Sequence, residues 1–232
     1  MPSIYHDQAL QHGLGDSHRL LLARLPQAAR VLDVGCASGY LAQAALHAGA
    51  RWVDGLELAP ADAALARAHC RTVHEGSAED PAAWSHLDGP YDAIVFGDVL
   101  EHLVHPERAL THALTVLASD GVVVASIPNV AHYTIRSMLL RGRFDYEDYG
   151  ILDRTHLRFF TRRDIVALFE DHGLVVQSID PVLALPQRSL RPVARVLGYR
   201  RTQRWATAVA RRVDTLFAVQ FVVVARPREA RP

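Results

Sequence analysis

Two glycines four positions apart, Gly35 and Gly39, close an apolar run that carries one acid, Asp33. A helix-like stretch, Leu41 to Ala48, follows at once. A buried strand, a glycine turn and a helix N-terminus in succession form a cradle for a nucleotide-type cofactor. The glycines let backbone approach a ligand where a Cβ would collide, and Cys36 between them meets the need for a small side chain. Asp33 stands two residues before the first glycine. Loops that hold a pyrophosphate favour positive potential there, whereas a carboxylate facing the cradle suits an ammonium or sulfonium group. Glu57 closes the apolar segment WVDGLE, 22 positions beyond Gly35, with Leu58 next to it. An acid at this spacing accepts hydrogen bonds from ribose hydroxyls. Taken alone, the loop is also compatible with a phosphate- or NAD-binding turn.

The segment DVGCASG resembles motif I of the class I S-adenosylmethionine-dependent methyltransferases, with Ala37 in place of a third glycine. Two more segments follow in the family's order. HEGSAED, His74 to Asp80, is similar to the adenine-framing turn after strand three. The resemblance implies backbone contact at Ala78 and puts Ser77 where the family usually has Asp, so that Glu79 or Asp80 would have to supply the amine contact. YDAIVFGDVLEHLVHPERAL resembles motif IV and carries Gly97 and Asp98 to a strand's carboxyl edge, where open α/β sheets bind ligands. The likeness continues through SIPN and DRTHLRFFT.

Transfer of a methyl group from a sulfonium needs alignment above all. A hydroxyl acceptor also benefits from a base, and histidine is the natural one near neutrality. His102 and His156 are the candidates with Asp98, and His132 a weaker one. Asp98, Glu101 and His102 form D-x-x-E-H, with His156 further on. This set is similar to the metal-holding residues of small-RNA 2′-O-methyltransferases and, in part, of ubiquinone-pathway O-methyltransferases. The resemblance implies a divalent cation, Mg, Mn or Zn, on Asp98, Glu101, His102 and His156. The competing reading makes Glu101 and His102 scaffold that orders the loop without metal.

These residues need a frame to hold them. Seven strand-like runs (Val31–Val34, Trp52–Glu57, Thr72–Glu75, Ala93–Phe96, Val122–Ile127, Val175–Ile179 and Phe221–Ala225) alternate with helical patterns. That alternation predicts a doubly wound, mostly parallel α/β sheet, and the resemblance implies its Rossmann-like class I methyltransferase form. A helix over Asp16 to Leu25 is expected to cap the cofactor site. Residues 129–161, after strand five, and 181–217, between the last two strands, break the pattern and are expected to form the acceptor side or a lid on one domain spanning 1–232. The second of these holds eight Arg and one Asp, with Arg200, Arg201 and Arg204 most densely clustered.

The 25 basic residues balance 25 acidic ones, and all 25 are Arg, so lysine chemistry is excluded. No global field favours nucleic acid. Two cysteines are too few for a disulfide framework. The chain shows no signal-peptide pattern and no apolar run of membrane-spanning length, so a cytoplasmic protein is expected. IPNVAH with RGRFDYEDYGILDRTHLRFFT resembles a bacterial methyltransferase subgroup associated with glycosyltransferases and polysaccharide assembly. This implies O-methylation of a sugar or small-molecule hydroxyl, and the Arg-rich segment fits a phosphorylated acceptor or else a solvated face. The alternatives are a non-catalytic partner protein of the methionine-biosynthesis type and a nucleic-acid 2′-O-methyltransferase.

Overall fold

The computed structural model describes residues 14–185 and 199–228. Seven strands form one sheet in the order β3-β2-β1-β4-β5-β7-β6. They are β1 (Arg30–Val34), β2 (Trp52–Glu57), β3 (Val73–Glu75), β4 (Tyr91–Gly97), β5 (Leu117–Pro128), β6 (Leu174–Leu183) and β7 (Ala218–Pro227). The pairs from β3 to β5 are parallel, and β7 lies antiparallel between β5 and β6. This is the doubly wound sheet expected from the alternation, in the class I methyltransferase topology that the resemblance implies. Strand β5 begins five residues earlier than Val122 because Leu117 already pairs with Tyr91 of β4, with an irregularity over 118–121 before the ladder resumes at Val122.

The central strands are apolar on both sides, as strands covered by helices on each face must be. Along β1 and β4 the alternation sends Leu32, Val34, Ile94 and Phe96 to one face and Val31, Ala93 and Val95 to the other. The first face is covered by α5 (Pro106–Val116) and α7 (Arg162–Glu170), through Ala109, Leu110, Ala113, Ile165 and Phe169. The second is covered by α1 (Asp16–Leu22) and α2 (Tyr40–His47). The remaining helices are α3 (Pro60–Ala66), α4 (Pro81–Trp84), α6 (Tyr133–Leu139), α8 (Tyr199–Arg212) and α9 (Asp214–Phe217). Proline opens α3, α4 and α5, where its missing N–H costs nothing. Thr161 and Asp164 close a reciprocal capping box at the start of α7.

One buried charge ties the sheet to its surroundings. The Asp54 carboxylate is inaccessible on β2 and accepts from Arg71 Nε (2.9 Å), Arg71 Nη2 (2.6 Å) and Tyr91 Oη (3.0 Å). Burial pushes its pKa up, but the Arg71 and Tyr91 hydrogen bonds prevail and hold it below the ordinary value. Among the described residues, no helix is long and apolar enough to cross a membrane.

Candidate active site

The strand order reverses between β1 and its neighbours β2 and β4, and a crevice opens outside the carboxyl ends of such strands. Gly35 (φ +68°) and Ala37 (φ +48°) carry the loop after β1 through left-handed backbone. A Cβ on Gly35 would stand 2.7 Å from Val99 Cγ2, and one on Gly39 (φ +80°) 3.0 Å from the backbone of Ala66. The first glycine therefore lets the loop pass the β4 turn, and the second lets α2 start against the end of α3. Glu57 accepts from Ala37 N and Ala59 N, one on each carboxylate oxygen and both at 2.8 Å. Each oxygen keeps a further lone pair, so the acid that braces the loops can also receive hydroxyls.

A cleft of about 430 Å³ lies here, walled by Gly35, Ala37, Glu57, Leu58, Ser77, Ala78, Glu79, Asp98 and His102, among others. Four residues expected at the cofactor do not line it: Asp33, Cys36, Gly39 and Gly97. The alternation along β1 turns Asp33 with Val31 toward α1 and α2. There it borders a small apolar cavity with Leu21 and Leu41, and its Oδ2 is buried without a hydrogen-bond partner. Burial, and then the charge of Glu57, push its pKa up to about 8. The Cys36 thiol fills the space above Gly55, beside Cys70, instead of facing the cleft. Glu79 accepts from His105 N (2.6 Å), and Asp80 caps α4 through Ala82 N (3.0 Å). Both acids named for the adenine amine thus already hold backbone in place.

Asp98 also lines a second cleft, of about 190 Å³, with Glu101, His102, Gly150, Asp153, His156, Val219 and Gln220 among its walls. Glu101, His102 and His156 each offer a ligand atom here, and these atoms lie within 4.8 Å of one another. His156 Nδ1 is 3.1 Å from the Ile151 carbonyl, and His102 Nδ1 is 3.2 Å from the Thr155 carbonyl. A carbonyl only accepts, so each Nδ1 carries the proton and Nε2 is left as the basic nitrogen, the arrangement usual for metal-binding imidazoles. Both Glu101 oxygens are buried without a hydrogen-bond donor. Burial, with the neighbouring Asp98 charge, drives the Glu101 pKa well above the ordinary range.

Asp98 does not join this cluster. It adopts φ +57°, and its Oδ1 accepts from Ser126 Oγ (2.8 Å) and Gln220 Nε2 (2.5 Å). Its Oδ2 is 3.7 Å from His18 Nε2. His132 lines neither cleft; it caps α6, its Nδ1 standing 2.7 Å from Thr134 Oγ1. Arg200, Arg201 and Arg204 line neither cleft. Gln220 and His18 were not singled out in the sequence. The signal for Gln220 was available, since it is the one polar residue within AVQFVVVA.

The sequence pattern of the methyltransferase-domain family matches residues 6–179, and the chain belongs to that family. It is 28% identical over 186 residues to a ubiquinone biosynthesis O-methyltransferase of Xanthomonas axonopodis pv. citri, covering 72% of each chain. A ubiquinone biosynthesis O-methyltransferase of Psychrobacter arcticus is 29% identical over 163 residues, covering 60% of this chain and 62% of that one. A crystal structure described as a possible histamine N-methyltransferase of Thermotoga maritima superposes with TM-score 0.64 at 17% identity, over 97% of this chain and 95% of that one. Fold and family together make this chain an S-adenosylmethionine-dependent methyltransferase, and an enzyme instead of a non-catalytic partner.

Proposed function

We propose that the enzyme methylates a hydroxyl oxygen of a small molecule, a sugar or a compound of similar size, with a divalent cation on Glu101, His102 and His156. The observation that carries this reading is the buried Glu101 carboxylate, with no hydrogen-bond donor, beside two imidazoles whose basic nitrogens are set by carbonyls. A carboxylate in that position calls for a proton or a cation. One carboxylate and two imidazoles suit Mn or Zn, and also Mg where water completes the shell. Bound there, the cation would polarise the acceptor hydroxyl.

The remaining roles belong to the chain itself. Glu57 receives the ribose hydroxyls on the lone pairs that Ala37 N and Ala59 N leave open, while Asp33, protonated up to about pH 8 and turned away from the cleft, serves the packing beneath the loop. Asp98 is shared by the two clefts and orients the groups on either side of the transfer. Its left-handed backbone and its bonds to Ser126 and Gln220 fix it there. The relatives' names, both O-methyltransferases, support oxygen as the atom methylated.

The test is methyl transfer from S-adenosylmethionine to a panel of sugar and phenolic hydroxyls. It would be run after chelation and after restoring Mg, Mn or Zn. Turnover that ignores both chelation and Glu101→Gln removes the metal from this reading. Methylation of amines in preference to hydroxyls removes the oxygen.

A further inference from the structure

Helix α8 has two sides of different character. Thr202, Ala206 and Ala210, spaced four apart, are 2%, 6% and 1% exposed and seat the helix on the body. Arg200, Arg201, Arg204, Arg211 and Arg212 are exposed on the outer arc. None of the five makes an ion pair among the described residues. On the shoulder of that arc Trp205 is 60% exposed and Val209 39%, and Val213 is exposed just beyond the helix. Residues 181–217 hold eight Arg and one Asp, in a chain whose basic and acidic residues balance at 25 each. The rest of the molecule is therefore net acidic, and the positive charge is gathered on this segment.

We propose that α8 docks the enzyme on an anionic phospholipid surface. The five guanidiniums would engage lipid phosphates, and Trp205 and Val209 would enter the boundary between headgroups and acyl chains. A helix of 14 residues offers about 21 Å of length in the plane of such a surface. Arginine at the phosphate level and tryptophan just below it is the pattern of an interfacial helix. A nucleic acid would also attract the arginines and could stack on Trp205, but aliphatic side chains gain nothing from stacking. Here Val209 follows Trp205 by one helical turn and Val213 is exposed just past the helix, and in sequence the Arg-rich stretch also contains Leu190, Val193, Val196 and Leu197. The aliphatic content favours the bilayer. The proposal stands whichever acceptor the enzyme methylates.

The full chain is mixed with vesicles of phosphatidylglycerol and phosphatidylcholine, or of phosphatidylcholine alone, and sedimented. Binding to the first and not the second is expected, weakening as salt rises. Trp84 is buried and the Arg71 guanidinium lies 3.8 Å over Trp52. The blue shift of tryptophan emission on the vesicles should therefore come from Trp205 and vanish in Trp205→Ser. Replacing Arg200, Arg201 and Arg204 by Gln should weaken binding roughly 100-fold. Unchanged S-adenosylhomocysteine affinity in each variant reports an intact fold. Three results overturn the proposal: no association with anionic vesicles; Trp205→Ser binding as tightly as the parent; or displacement from the vesicles by a single-stranded RNA or inorganic phosphate at equal phosphate concentration.

Discussion

A carboxylate enclosed without a donor, as Glu101 is, costs several kcal/mol unless something neutralises it (of order ~3–5 when a partner is missing). Replacing it with the isosteric amide should therefore have opposite effects with and without metal. In chelated protein, Glu101→Gln should raise stability by about 1–3 kcal/mol; in the parent alone, adding Mn or Zn should raise the thermal midpoint. Asp33 makes a pH-dependent case. Folded, it keeps its proton up to about pH 8, while the unfolded chain releases it near pH ~4. The unfolded state then binds fewer protons, so stability falls as pH rises across that window. Asp33→Asn should flatten the fall, read from chemical denaturation at a series of pH values. Glu57→Ala should weaken S-adenosylhomocysteine binding by about 1–3 kcal/mol in calorimetry. Glu57 was legible because the end of a strand and a spacing from the glycines locate it. Asp98's separation from the Glu101–His102–His156 cluster was not, because a left-handed φ and a partner 122 residues away decide where its oxygens point.

Elements were legible wherever a period or a cap marks them. Strand alternation, proline at helix starts and the Thr161/Asp164 box place most boundaries within a few residues. The short α4 and α6 carry too few turns for a period and were not anticipated. Alternation also bears on Asp33: in a strand buried on both faces, an acid's neighbours are set by parity with Val31, and that parity points away from the cleft. Gly39 does its work between elements, since its missing Cβ lets α2 begin against Ala66. Gly39→Ala should cost about 1–3 kcal/mol, because the obstacle is backbone and φ is positive. The loss should show in thermal unfolding of the ligand-free protein as well as in cofactor affinity.

At the scale of the molecule, the repeated strand–helix alternation made the doubly wound sheet legible, and the family match agrees with it. The second cleft was less legible, because its walls come from segments far apart in sequence. Residues 150–156 belong to the segment expected to face the acceptor, but Val219 and Gln220 come from the last strand. The Arg-rich segment, assigned to the same pocket on composition, contributes no side chain from 200–212 to it. Composition gives a segment's charge and not the direction in which the sheet turns it. Ligand that binds only the folded chain should stabilise it by about 2.7 kcal/mol at a hundredfold excess over Kd. S-adenosylhomocysteine should raise the thermal midpoint accordingly, and NAD should leave it unchanged.

Placing β7 between β5 and β6 also has a consequence in time. A chain leaving the ribosome completes β1, β2 and β4, and with them the walls around Glu57, long before Gln220 exists. The amide that fixes Asp98 arrives 122 residues after it. The wall that Val219 and Gln220 give the second cleft is therefore synthesised after every residue that lines the cleft beside Glu57.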